Sequence, residues 1–319
     1  MNMNTHIKAT LAIDVKNTIG EGPLWDARGN RLLWCDNALG IVQEAQSNNN
    51  IDWHIGRRWT LNRHIGGAVP RKNGGIIVVA GIDILALDGD GHITQFAQLD
   101  ADPKKVRAND VKCDAKGRLW VGTLGNDILT STGEVIEGQG ALYRIDPDGT
   151  ITTILSHVTL SNGLDWSPDG TTSFYYVDSH TLAVDIFDFD ATEGTLHNRR
   201  CFKAFAKGEG IPNGLVVDHE GHVWLALMGS GEIHRYSPAG ELIAKVRVST
   251  PAVTSCTFGG VHGDNLFITS AGRKLPDITN NLYGLSQEVV EHSATAPGAG
   301  GLFVCQPGVS GPAATPFAG

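Results

Sequence analysis

The 319-residue chain offers little that cysteine chemistry could use. Its five cysteines, Cys35, Cys113, Cys201, Cys256 and Cys305, are odd in number, widely separated and without a CxxC pair. That excludes a disulfide framework or a thiolate metal cluster and predicts reduced, mostly buried thiols in a cytoplasmic protein. Long apolar runs are also missing. The longest, Gly75 to Leu87, is interrupted by Asp83 and falls short of the ~18–20 residues of a membrane span. The stretch Ala12–Val15 is broken by Asp14, too short for a secretory h-region. Basic charge is sparse: 25 Lys and Arg stand against 34 Asp and Glu, a net charge of −9. Pairs such as Lys104–Lys105 and Arg199–Arg200 build no basic stripe, so neither nucleic acid nor a membrane is expected as a partner. Helix-period segments of any length and Pro/Ser-rich linkers are absent too, which predicts a single domain over residues 1–319. No GxSxG, HExxH, Walker or GxGxxG motif occurs. Asp88–Gly91 looks like the start of a calcium loop, but its glycine is misplaced and no Glu closes it, so it reads as a hairpin turn.

Glycine is what the chain has in excess, 40 residues or about one in eight, against a usual ~7%. Six of them mark a repeat of a turn glycine followed by a short apolar strand. The copies are DARGNRLLWCD from Asp26, RKNGGIIVVAG from Arg71, DAKGRLWVGTL from Asp114, SPDGTTSFYYVDS from Ser167, DHEGHVWLALM from Asp218 and VHGDNLFITSA from Val261. Their turn glycines, Gly29, Gly75, Gly117, Gly170, Gly221 and Gly263, are spaced 42 to 53 residues apart. A second hairpin follows within the repeat, clearest in ALYRIDPDGTITTIL from Ala141 and EIHRYSPAGELIAKV from Glu232. Two hairpins in ~40–50 residues are one propeller blade. The pattern predicts an all-β, six-bladed β-propeller with four antiparallel strands per blade. A large antiparallel sandwich is the rival, and the steadiness of the period favours the propeller. Leu302–Cys305 is expected to close the ring with the N-terminal segment, and Trp34, Trp120 and Trp224 to pack inside blades.

The repeat also exposes a constellation. Eight residues before the turn glycines stand Glu21, Gly67, Asn109, Asn162, Asn213 and Ser255. Four of these six positions carry a side-chain oxygen on Glu or Asn. In a propeller such positions converge on the central channel, where hard oxygen donors suit a divalent cation: Ca²⁺, Mg²⁺, Mn²⁺ or Zn²⁺. Taken singly, Asn162–Gly163 and Asn213–Gly214 read as turns. Four polar residues in one phase favour a shared site.

Several segments together resemble one known family. They are GEGPLWD (Gly20–Asp26), RANDVKCDAKGRLWVGT (Arg107–Thr123), SNGLDWSPDG (Ser161–Gly170), FYYVDS (Phe174–Ser179), VDIFDFD (Val184–Asp190), the run Pro212–Trp224 and TSCTFGG (Thr254–Gly260). In order and spacing, from about Ile13 to the C-terminal GVSG, they are similar to the senescence-marker-protein (regucalcin)/gluconolactonase/luciferin-regenerating enzyme family. The resemblance implies one divalent cation in a propeller channel and hydrolysis of a sugar lactone, a small-molecule substrate of carbohydrate metabolism. It places the metal ligands on Glu21, Asn162 and Asn213, and the substrate contacts on Arg107, Asn109 and Asp127. Where the family usually has Pro-Asp-Gly, this chain has Pro212-Asn213-Gly214. The family aspartate is both ligand and catalytic base, whereas Asn213 keeps a ligating oxygen and accepts no proton at neutral pH. Reduced lactonase activity is therefore expected. Cation binding with little catalysis, or esterase and phosphotriesterase chemistry on the same scaffold, stand as alternatives.

Overall fold

A computed structural model, described for residues 6–319, shows why the turn glycines recur. Each lies between the first and second strand of a four-stranded antiparallel sheet, and six such sheets form the ring of a six-bladed propeller. The first strands, Gly20–Asp26, Ile65–Pro70, Val106–Cys113, Ser161–Trp166, Ile211–Val217 and Val253–Gly259, contact one another around the channel. They are buried almost throughout. The fourth strands face solvent, as His54–Thr60 and Ile93–Gln98 show.

The repeated Asp is held in place by hydrogen bonding. Asp114 Oδ2 accepts from Trp120 Nε1 at 3.0 Å, and Asp218 Oδ2 from Trp224 Nε1 at 2.9 Å. The same carboxylates accept turn amides and an arginine, Arg118 in one blade and Arg235 in the other. Asp and Trp are six residues apart in both. In the first blade they are eight apart, and the buried Trp34 Nε1 finds no partner. All three tryptophans are at most 1% exposed, as blade-core packing predicts.

Leu302–Cys305 pairs antiparallel with Thr10–Ile13, so the last blade draws its outer strand from the start of the chain. Such closure ties the ring without leaving an inner edge unpaired. His6–Lys8 adds a parallel fifth strand outside Leu242–Arg247. The C-terminal tail crosses the turn end of the ring, where Gly311 and Ala318 amides donate to the carbonyls of Gly263 and Gly117. Phe317 is fully buried there against Phe96.

At the opposite end the all-β pattern is interrupted. The connection from Ser270 to Leu302 carries two six-residue helices, α1 (Ile278–Tyr283) and α2 (Gln287–His292). The α1 helix ends on Gly284 at φ 71°, whose amide donates to Asn280 O. Ser286 caps α2 by accepting from Val289 N. Leu275, Tyr283, Leu285 and Val290 anchor this lid on Ile211 and Ala252.

Candidate metal centre

Every first strand carries a register shift near its entry to the channel mouth. Bulges of this kind re-aim side chains. Asn162–Gly163 and Asn213–Gly214 sit in two of them, inside strands rather than in turns. Their glycines serve close approach. A Cβ on Gly163 would lie 2.5 Å from Leu215 N, and one on Gly214 would lie 2.0 Å from Ser255 Oγ.

Glu21, Asn109, Asn162 and Asn213 all line one cavity of about 200 Å³ under the lid, together with Arg107. Glu21 is 7% exposed and Asn213 is 4% exposed. Glu21 Oε2 and Asn213 Oδ1 are buried without a hydrogen-bond partner. Burial pushes the Glu21 carboxyl well up, and the neighbouring buried Asp110 pushes it further, while the Gly22 amide and the Asn213 side chain oppose the shift. Asp110 itself is raised to about 6 by burial, against the pull of Lys112. Buried oxygens left bare are costly, so their convergence needs a reason.

A relay of hydrogen bonds sets the Asn162 amide. Asn109 Nδ2 donates to Asn162 Oδ1 at 2.9 Å and to Ser161 O at 2.7 Å. Asn162 Nδ2 donates to Ser179 Oγ at 2.7 Å, and Ser179 Oγ donates to Pro212 O at 2.5 Å. Three blades are thereby locked together behind the donors. The Asn162 oxygen retains a second lone pair for a ligand. The donor set, one carboxylate and two carboxamide oxygens without thiolate or imidazole, fits a hard divalent cation.

Among the described residues, two other groups have metal-like spacing, and both are occupied by structural bonds. Asp88 caps the amides of Asp90 and His92, as a hairpin turn requires. Asp218 is taken by Trp224, Arg235 and two amides.

The substrate-side residues divide. Arg107 Nη1 donates to Gly125 O at 2.8 Å and Asn126 O at 3.2 Å, while its buried Nε has no partner. Asp127 does not line the cavity. Its side chain is exposed at the rim, and the adjacent Ile128 lines the cavity instead. Sequence reasoning missed Ser179, Arg273 and the lid residues Ile278, Leu282 and Tyr283. His64 also lines the cavity. Burial, then Arg107 and Arg273, lower His64 to about 4.

The five cysteines are free, three of them buried, and among the described residues no helix is long and apolar enough to cross a membrane.

Fold and site together define a six-bladed propeller whose first strands bring side-chain oxygens to one lidded mouth of the channel. The chain belongs to the SMP-30/Gluconolactonase/LRE-like family, whose profile matches residues 19–272. It is 35% identical to regucalcin of Danio rerio over 268 residues, covering 83% of this chain and 87% of that protein. Regucalcin of Gallus gallus is 32% identical over 305 residues, covering 94% and 95%. A solved luciferin-regenerating enzyme superposes with a TM-score of 0.83 at 27% identity, over 97% of this chain and 99% of the other. The calcium-binding protein regucalcin from Agrobacterium tumefaciens has the same TM-score, 0.83, at 22% identity over 99% of both chains, which speaks to the fold. The family resemblance and the six-bladed propeller are both borne out.

Proposed function

We propose that the protein is a divalent-cation-dependent lactonase that opens a sugar lactone to its aldonic acid. One observation carries this reading. Two buried, partnerless oxygens, Glu21 Oε2 and Asn213 Oδ1, belong to residues that line the same lidded cavity as the hydrogen-bonded Asn162 amide. Membership of a family that includes gluconolactonases, and calcium binding by the Agrobacterium regucalcin, support the two halves of the proposal. Glu21, Asn162 and Asn213 would hold the cation, with Ca²⁺, Mg²⁺ and Mn²⁺ better suited to all-oxygen donors than Zn²⁺. When bound, the ion supplies Lewis-acid polarisation of the ester carbonyl.

The chain's own groups account for positioning. Arg107 and Asn109 would hydrogen-bond the lactone's polar substituents and orient it in the cavity. Asp127 would reach only a substituent that extends to the rim. Lid side chains Ile278, Leu282 and Tyr283 restrict bulk water above the ring. In the reaction a water oxygen bonds to the carbonyl carbon and the ring C–O bond breaks. The ring oxygen leaves as a hydroxyl after taking a proton.

Asn213 supports a second reading, cation binding with little turnover, because the carboxamide cannot accept the water's proton. Acid release from a panel of aldonolactones, with chelator and with each added cation, separates the two. Cation-restored hydrolysis supports the lactonase. Cation binding without hydrolysis of any lactone, even after Asn213→Asp, rejects it.

A further inference from the structure

The cavity is positively charged inside an acidic protein. The whole chain carries −9, yet the charged side chains lining the cavity are Arg107 and Arg273 against Glu21 alone, two minus one, or +1. His64, in the same lining, stays neutral in the face of both guanidinium groups. A divalent cation at the floor adds to the excess. Among the described residues neither arginine forms an ion pair with a carboxylate. The nearest opposing influence on Arg107 is Asp127, exposed at the rim and too distant to pair. Arg107 is held in place by two carbonyls, with its buried Nε free. Arg273 enters from the first residues of the lid, just after Ala271, and makes no side-chain hydrogen bond among the described residues. The two guanidinium groups repel each other, Arg107 from a half-buried position and Arg273 from an exposed one, and an anion between them would answer both. Their planar forks match the paired oxygens of a carboxylate or phosphate.

We propose that Arg107 and Arg273 form an anion subsite in the cavity, so that the preferred substrate is a lactone bearing a second, negatively charged group distal to the reacting carbonyl. The lactone rests on the function proposed above; the anion subsite rests on the two arginines. Charge also supplies discrimination, since a neutral aldonolactone leaves both guanidinium groups unanswered.

Steady-state kinetics on three lactones test it: neutral gluconolactone, a glucarolactone with a terminal carboxylate, and 6-phosphogluconolactone. In the wild-type protein kcat/KM for one of the charged lactones should exceed that for the neutral one at least tenfold. Whichever charged lactone is better tells carboxylate from phosphate. Arg273→Gln should lower the charged-to-neutral ratio ten- to a hundredfold, chiefly through KM, and Arg273→Lys should recover part of it. A wild-type ratio near one, or a ratio that survives Arg273→Gln, overturns the subsite. If no lactone is turned over, the lactonase reading fails, and calorimetric titration of the Ca²⁺-supplemented protein with glucarate still decides the subsite. Binding weakened at least tenfold by Arg273→Gln upholds it, and no binding, or binding indifferent to the substitution, overturns it.

Discussion

Asn213→Asp puts a second carboxylate beside Glu21 in a site already crowded with buried acid. The Glu21 carboxyl is pushed up by burial and by Asp110 before any change is made. Two like charges about 4 Å apart repel by about 4 kcal/mol at the effective dielectric of such sites. Unfolding entropy near ~2.1 cal/mol/K per residue, over 319 residues, converts this to a fall of about 6 °C in Tm for the cation-free protein. Protonation of one carboxyl will absorb part of it, so the fall should shrink as pH drops. With Ca²⁺ or Mn²⁺ bound the sign reverses, because the same charge now faces a dication. Affinity should rise at least tenfold, and lactone turnover should rise with it, since the introduced carboxylate can also accept a proton. Thermal denaturation with chelator and with cation, beside calorimetric titration, measures both limbs. An Asn213→Asp protein that is equally stable in chelator and binds the cation no more tightly refutes the placement of Asn213 at a shared cation site.

Other perturbations follow from the same geometry. Ser179→Ala releases the Asn162 amide from its 2.7 Å acceptor, which should weaken cation affinity about tenfold in calorimetry while costing only about 1–2 kcal/mol of stability. His64 sits at about 4, below its ordinary value near 6.5, so the folded state resists a proton that the unfolded chain accepts. Stability should therefore decline as pH falls from 6.5 towards 4, by at most about 3 kcal/mol, and His64→Leu should flatten that limb in urea titrations. Asp218→Ala strips partners from Trp224 Nε1, Arg235 and two turn amides, and should cost about 3–5 kcal/mol in denaturant midpoint without selectively changing cation affinity.

The ring was legible because the turn between the first two strands needs a left-handed residue at a fixed phase. Gly75, Gly117, Gly170, Gly221 and Gly263 all take positive φ there. The first blade differs: Asn30, at φ 46°, holds the left-handed position in its turn, one residue after Gly29. Counting back eight from Asn30 gives Gly22, so the arithmetic reached Glu21 through an offset it did not detect. Glu21 stands just before the bulge of its strand, Gly22–Pro23, whereas Asn162 and Asn213 stand inside theirs. Ser179, Arg273 and the cavity role of His64 were not legible in the same way. They come from a strand end, the lid and a connecting segment, where no repeat phase applies. Helices of six residues are too short to show a 3.6-residue period, and so the lid escaped notice. Asp127 was assigned from resemblance alone, and the backbone between Gly125 and Ile128 carries its side chain out to the rim.

The central claim is that Glu21, Asn162 and Asn213 hold one divalent cation. Anomalous diffraction from a crystal soaked in Mn²⁺ tests it most directly. The account predicts a strong peak about 2.1–2.5 Å from the Glu21 carboxylate and from the Asn162 and Asn213 side-chain oxygens. A featureless channel mouth, or a peak only at Asp88–Asp90–His92 or Asp218–Glu220–His222, would contradict it.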